Sequence, residues 1–445
     1  MLNKFFKLKE NNTDIKTEVI AGITTFLAMS YILGVNPGML SETGMPLEGV
    51  FIATALASGI ACIIMGILAN YPVGLSAGMG LNAIFTYTIV LGMGLSWNAA
   101  LAAVFLSSVI FFIITIVGLR EAILNAIPKD LKLAIGSGIG FFLAFLGLAN
   151  AGIIVSDPST IVGLGSLVSP PVTLALIGII ITLVLYVRKV PAAVFFGLLI
   201  TAIIGVIYTA IGYASPDVIM PALPANWISF NLDFSVFGGF LSGFGELFKN
   251  IPSLIVILFS LLFVTFFDTT GTLIPLAKEC GYENEDGTTE GINRAFISDA
   301  LGGIVGAIFG SSTVTAYVES ATGIGLGGRT GITAIVTGIL FILSVFISPT
   351  VLALFTSSVT SAALVIVGIL MFVQIKEIQW DEMAIVASVF MTILMMLLTY
   401  SISLGIAFGF CTYVITRVAS GKYKELNPLV WVLFVVFILY LIFGI

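Results

Sequence analysis

Two carboxylates, Asp268 and Glu319, stand inside stretches that are otherwise apolar or rich in hydroxyls, and they are the residues of this chain best suited to chemistry. Asp268 ends a nearly uninterrupted apolar run from Ile251 and is followed by Thr269, Thr270, Gly271 and Thr272. Basic residues fall only at the ends of the predicted spans, so none is available inside one to pair with it. An isolated charge in hydrocarbon is expensive, so this group must be protonated, paired or solvated by a cavity. That makes it a candidate proton carrier or hydrogen-bonding ligand; the plainer reading is a cap for a broken helix. Glu319 lies in SSTVTAYVESATGIGLGG, residues 311–328. Hydroxyl-bearing and β-branched residues open that stretch and favour extended backbone, and from about Tyr317 it can wind as a short helix. Extended backbone at membrane depth is tolerated only where it is buried in protein or lines a cavity. A helix starting there points unsatisfied N–H groups into that cavity. Residues 311–328 therefore read as half of a binding site.

The other half is expected in YPVGLSAGMGLNAIFTY, residues 71–87. Pro72, Gly74, Gly78 and Gly80 argue against an uninterrupted helix. They fit an extended entry near 73–77 followed by a short helix that carries Asn82. Close helix packing through small residues would explain the glycines alone equally well. Thr269 joins Asp268 as a candidate ligand, and Phe267 and Tyr317 supply aromatic surface beside the two acids. Asp299, in ISDALGGIVGAIFG, is either an N-cap or a group that supports the site, with Arg294 close in sequence. Thr272 and, in the first span, Thr24, Thr25 and Ser30 are further candidates to face or support the cavity. Lone hydroxyls in such helices also commonly bond back to their own backbone.

Other chemistries are excluded by what the chain lacks. There is no histidine, so proton handling falls to Asp, Glu, Lys or Tyr. Cys62, Cys280 and Cys411 are scattered and suggest neither a disulfide framework nor a metal site. No glycine-rich loop follows the GxxxxGK[ST] pattern, so no ATP site is expected and the energy source must be an ion gradient. Glu283, Glu285, Asp286 and Glu290 read as a solvated loop. No cofactor, metal or nucleic-acid partner is expected.

The elements that position these residues are membrane spans. The chain of 445 residues is 59% hydrophobic and only 9% charged, with a mean hydropathy of +1.18. A soluble domain carries about 25% charged residues. The chain thus reads as an all-α polytopic membrane protein whose other partner is the lipid bilayer. Apolar runs place spans near 16–35, 47–69, 73–92, 97–119, 129–150, 171–187, 190–213, 251–276, 292–309, 311–328, 330–347, 350–373, 383–400 and 401–418, fourteen in all. With a cytoplasmic N-terminus, every basic residue except Lys249 falls in the N-terminal segment or in a cytoplasmic connection or tail, Lys4, Arg120, Arg188, Arg329 and Lys376 among them. The polar N-terminus lacks the apolar core and cleavage site of a signal peptide. Residues 214–250 form a linker with an amphipathic run, SVFGGFLSGFGELFKN, suited to the interface. The apolar tail, 428–445, is either a further span or a surface helix; the latter is preferred.

Two halves of seven spans, 1–213 and 251–418, echo one another: VPAAVFFGLLI at 190–200 is similar in texture to ISLGIAFGFCTYV at 402–414. Residues 419–445 form the tail. An odd number of spans per half places the copies in opposite orientations, the inverted-repeat plan of secondary transporters. Spans three and ten are then symmetry mates. Shared membrane composition is the alternative explanation.

FFDTTGTL, PVGLSAGMGLNAIFTY, SSTVTAYVESATGIGLGGRTG and ITTFLAMSYILGVNP together resemble the hypoxanthine/guanine/adenine permeases, a branch of the nucleobase–cation symporters. The likeness runs along essentially the whole chain. It implies a 7+7 inverted repeat with a core domain from spans 1–4 and 8–11 and a gate domain from spans 5–7 and 12–14. It also implies short antiparallel strands in spans three and ten. By the same resemblance, Asp268 and Glu319 hydrogen-bond the nucleobase and one of them is tied to the proton. Asn82 matches the polar position of span three, and backbone groups near Ala77 and Val318 complete the recognition of the base edge. Some relatives carry a second acid where this chain has Thr265. Related folds often dimerise through the gate domain, which leaves a homodimer open.

A planar purine needs a few placed polar partners in a mostly apolar pocket, with Phe267 or Tyr317 available for stacking. The expectation is a multi-pass cell-membrane importer of purine bases driven by protons, and not an enzyme. An anion exchanger or channel on the same architecture is the alternative, but it should offer bases or helix N-termini free of acids. The sequence leaves open which purine is preferred and whether sodium replaces the proton.

Overall fold

The computed structural model describes residues 5–119, 128–213, 218–283 and 289–443. Lys4, Arg120, Glu285 and Asp286 lie outside them. The chain is mostly helical. Among the described residues, eleven helices are long and apolar enough to cross a membrane, against the fourteen spans expected. Three further segments, Met79–Gly92, Met383–Leu398 and Val430–Ile442, are apolar but shorter. Residues 311–328, expected as a span, hold a strand and one short helix in place of a full-length helix.

The first half begins with α1 (Ile15–Met29) and α2 (Ile32–Ser41), joined by a two-residue turn, and α3 (Leu47–Ile64). Asp14 caps α1 by accepting from Thr17 N, which ends the polar N-terminal segment. The strand β1 (Leu75–Ala77) leads into a short helix, α4 (Met79–Ala83), that widens into a π-type helix over Ile84–Gly92. Then come α5 (Trp97–Val117), α6 (Lys129–Asn150), the hairpin of β2 (Ile154–Asp157) and β3 (Ile161–Leu164), α7 (Pro170–Val187) and α8 (Ala193–Ala210). The hairpin was not anticipated.

The second half opens with the amphipathic helix α9 (Phe240–Leu247), where the interfacial run was read, followed by α10 (Ile251–Glu279) and α11 (Ile292–Phe309). Strand β4 (Val314–Ala316) and the six-residue α12 (Ser320–Gly325) follow. The remaining helices are α13 (Gly331–Leu343), α14 (Ser348–Leu354), α15 (Ser357–Phe372), α16 (Met383–Leu398), α17 (Ile402–Ala419) and α18 (Pro428–Phe443). The expected break near 348–350 falls later, at Phe355, because Pro349 occupies the first turn of α14, where a missing N–H is harmless. The tail helix α18 lies against α17 and turns Val430, Leu433, Phe437 and Tyr440 inward.

Small residues let these helices approach closely. A Cβ on Gly140 of α6 would stand 2.6 Å from the carbonyl oxygen of Gly368 in α15, so the two backbones touch at that crossing. In the other group, α13 packs on α1 and α3, and α11 on α3 and α5. The β1–β4 pair lies inside this second group and is antiparallel, with Ser76 opposite Thr315.

Candidate functional site

The site is built where the two strands end. All six residues of β1 and β4 are buried. Their ladder continues through Gly78 N to Thr313 O (2.9 Å) and Tyr317 N to Gly74 O (3.0 Å). In an antiparallel pair the bonded positions alternate, so residues 75, 77, 314 and 316 turn their peptide groups away from the partner strand. Those outward groups need other partners. Ala316 N donates to Asp299 Oδ1 (2.8 Å), and Ala77 O accepts the hydroxyl of Tyr317 (2.5 Å).

Asp299 is therefore a clamp on β4. It lies in the second turn of α11, whose N-cap is Gly291, so the N-cap alternative fails. Besides Ala316 N, it accepts from Thr315 Oγ1 (3.2 Å) and, through Oδ2, from Thr269 Oγ1 (2.6 Å). Thr269, expected at the ligand, directs its hydroxyl to Asp299 and is fully buried. One acid thus joins α10, α11 and β4.

Glu319 is the N-cap residue of α12 and is 8% exposed. Its Oε1 accepts the hydroxyl of Tyr31, which stands at the turn between α1 and α2, at 2.6 Å. Asp268 lies one turn before Thr272 on α10, and its Oδ2 is 3.5 Å from where a Cβ on Gly78 would lie. Gly78 is the N-cap of α4. Each acid thus stands at the start of a short helix that follows a strand. Asp268, Glu319, Tyr31 and Tyr317 lie within electrostatic reach of one another. Among the described residues no group of three or more His, Cys, Asp and Glu could hold a metal.

The other expected residues divide. Val318 is 44% exposed, beside Glu319. Phe267 is buried and packs edge-on against Phe263 (4.6 Å between centroids), which in turn meets Phe437. Thr25 packs on Gly323 of α12 and near Gly74, behind the strands. Thr24 bonds back to Ile20 O and Ser30 to Leu27 O, as lone hydroxyls in helices do. Thr265 likewise bonds to Leu261 O (2.7 Å). Asn82 is fully buried and accepts from Ser312, at the entry to β4. It braces the two broken segments against each other.

Two residues that matter here were not singled out from sequence. Tyr31 had no signal beyond an isolated hydroxyl in an apolar run. Glu18 had one, an acid just inside the first predicted span. It is fully buried and accepts from Arg329 N (2.8 Å), Thr330 N (3.2 Å), Thr333 N (3.2 Å) and Thr333 Oγ1 (2.6 Å), capping α13. Glu246 of α9 treats α5 in the same way, accepting from Ser96 N (3.1 Å) and from the Ser96 hydroxyl. Those hydrogen bonds hold its carboxyl below the usual range.

Paired broken helices with acids at their starts, inside a bundle of apolar helices, define a membrane transporter fold. The same fold is seen in the transmembrane domain of a cyanobacterial bicarbonate transporter, BicA, with a TM-score of 0.66 and 14% identity over 88% of this chain and 96% of that one. Residues 16–408 match the Permease family, and the chain belongs to it. It is 44% identical to the guanine/hypoxanthine permease PbuG of Bacillus subtilis (strain 168), over 99% of this chain and all of that protein. It is 37% identical to the adenine permease AdeP of Escherichia coli (strain K12), over all of this chain and 96% of that one. The protein is a permease and not an enzyme.

Proposed function

We propose that this permease imports purine nucleobases, hypoxanthine and guanine foremost and adenine as a further candidate, by proton symport with alternating access. The observation that carries the reading is the placement of Asp268 and Glu319 at the starts of α4 and α12, where neither acid pairs with a basic side chain among the described residues. A neutral base rich in N–H donors suits such acceptors. The relatives named as guanine/hypoxanthine and adenine permeases support the same class of substrate. In this reading Asp268 and Glu319 accept from the base and one of them carries the proton. Val318 offers its backbone, and Phe267 and Tyr317 offer aromatic surface. Asn82, Ala77 and Thr269 hold the strands and acids in place, with Asp299, Thr272 and Thr25 behind them. No cofactor takes part; the proton gradient is the energy source. Coupling follows if the loaded site binds the proton more tightly than the empty one.

The same reading takes the eleven long helices, the two broken segments and the short α16 as fourteen crossings of the cell membrane, with the N-terminus cytoplasmic. The halves form an inverted repeat, supported by the antiparallel β1–β4 pair and by the like capping of α13 by Glu18 and α5 by Glu246. The group around α1, α3, α5, α11 and α13 is the core, and that around α6, α7, α8, α15, α16 and α17 is the gate. A homodimer through the gate belongs to the same reading. Anion transport on this fold would set two carboxylates against the substrate, which disfavours it.

The test is uptake of radiolabelled hypoxanthine into proteoliposomes under an imposed pH gradient, in competition with guanine, adenine, uracil and sulfate. Accumulation that a protonophore collapses and only purines inhibit is the expected result. No uptake, or inhibition by sulfate, would keep the fold and overturn the function.

A further inference from the structure

Tyr31 is 1% exposed and reaches Glu319 across 288 residues of sequence. Its position is set by the turn at Ser30 and Tyr31, which separates α1 from α2 at the depth of the strand pair. Its ring centroid is 6.4 Å from that of Tyr317, whose hydroxyl is committed to Ala77 O. One phenol thus fixes the end of β1, and the other fixes the carboxylate at the start of α12. A hydrogen bond between a phenol and a carboxylate is charge-assisted and strongly directional.

We propose that Tyr31 is a positioning residue that sets the choice between purines, by occupying Oε1 of Glu319 and leaving Oε2 to face the ligand. The proposal rests on the purine reading above. A 6-oxopurine without a 2-amino group presents a single N–H at N1, with no second donor beside it. It can bond to Oε2 while Tyr31 keeps Oε1. Guanine presents N1–H and a 2-amino N–H side by side, the pattern that grips both oxygens of a carboxylate. It can do so only if Tyr31 yields Oε1 or shares it. Tyr31 therefore favours hypoxanthine over guanine, and its hydroxyl is the discriminating atom.

The experiment is uptake kinetics of both bases in proteoliposomes containing the wild type or Tyr31→Phe, with folded protein measured by thermal melting in detergent. Loss of a hydrogen bond to a charged group should raise KM for hypoxanthine about tenfold. KM for guanine should change by less than about threefold, because the freed oxygen compensates. The ratio of the two KM values then shifts toward guanine. A merely structural role would lower Vmax for both bases and leave the ratio where it was, and that outcome overturns the proposal. A fluorinated tyrosine at position 31 changes the donor strength of the phenol at nearly constant shape. It reads the same ratio should Tyr31→Phe fold poorly, and an unmoved ratio there is equally fatal. A wild type that carries neither base would sink the purine reading itself, a result separable from an unmoved ratio in active vesicles.

Discussion

Asp299 Oδ1 lies 2.8 Å from the backbone nitrogen of Ala316, a bond that helps tie α11 to the strand that delivers Glu319. The same carboxylate takes the hydroxyls of Thr269 and Thr315, so three donors lose their acceptor together in Asp299→Ala. Buried donors left unpaired cost about 1–3 kcal/mol each, and the expected loss of stability is about 3 kcal/mol or more. Thermal melting in detergent should show it, together with loss of hypoxanthine binding. Asp299→Asn keeps one acceptor oxygen for Ala316 and should fall between the two. Equal melting temperatures for all three proteins would refute the clamp.

Glu319→Gln keeps the shape of the side chain and an acceptor for Tyr31 but removes the ionisable group. If Glu319 carries the coupled proton, this variant loses accumulation against a gradient while folded protein remains in the membrane. Uptake at least about tenfold below the wild type under a pH gradient is expected. Exchange of labelled for unlabelled base needs no net proton movement and should survive better. Normal accumulation would remove Glu319 from the coupling.

Much of this arrangement was legible in the residues, and the reasons differ by element. Asp268 and Glu319 stood out because an acid among apolar residues is costly. The strands stood out because Pro, Gly and hydroxyl residues cannot sustain a long helix, and β1 and β4 lie within the two stretches so marked. The partners of those residues were not legible. Tyr31 meets Glu319, Asp299 meets Ala316 and Glu18 meets α13 only after distant segments pack, and nothing local in the sequence encodes that pairing. The partner of Thr269 was not legible for the same reason: its neighbour Asp268 faces Gly78, and one residue further round the helix faces Asp299. The span count was read from apolar length, a measure that the broken segments and the short α16 do not meet.

Glu246 is held in its charged form by Ser96, and the sign of its pH effect follows. Its carboxyl in the folded protein lies below the ordinary glutamate value of 4.5. The stability it contributes is therefore present above about pH 4.5 and is lost as pH falls through the lowered folded value. The group is near the surface, and solvent screening limits the contribution to about 0.5 kcal/mol. Glu246→Ala should melt slightly below the wild type at pH 7, and the two should converge in acid. A gap that persists or widens in acid would mean that packing, and not the charge, holds α9 on α5.

Gly323 is where α12 touches α1. A Cβ there would stand 2.6 Å from the carbonyl oxygen of Ala21 and would also meet Thr25 Oγ1. Gly323→Ala must push α12 away and take Glu319 with it. Hypoxanthine binding about tenfold weaker, with a lower melting temperature, is expected, since contacts this close are not relieved without backbone movement. Adding Thr25→Ala removes the hydroxyl but not the Ala21 carbonyl, so recovery should be partial. Full recovery would show that the side chain alone set the spacing.

Tyr87 and Tyr400 join the two packing groups at one end of the bundle. Their rings meet edge-on at 5.2 Å, Tyr87 donates to Glu42 Oε1 (3.0 Å), and Tyr400 also packs on Phe142 and Phe145. Tyr87 follows β1 in the group proposed as the core, whereas Tyr400 occupies the corner between α16 and α17 in the group proposed as the gate. If the core moves against the gate, this contact has to part when the site opens toward Glu42, the outer side in the proposed topology. Joining the two groups covalently should then arrest the cycle. With cysteines at both positions, a short reducible thiol cross-linker should cut uptake at least about tenfold, and reduction should restore it. The native Cys62, Cys280 and Cys411 are buried and give little background. Hypoxanthine should still raise the melting temperature of the cross-linked protein, because the site itself is untouched. Undiminished uptake at complete cross-linking would place the moving seam elsewhere.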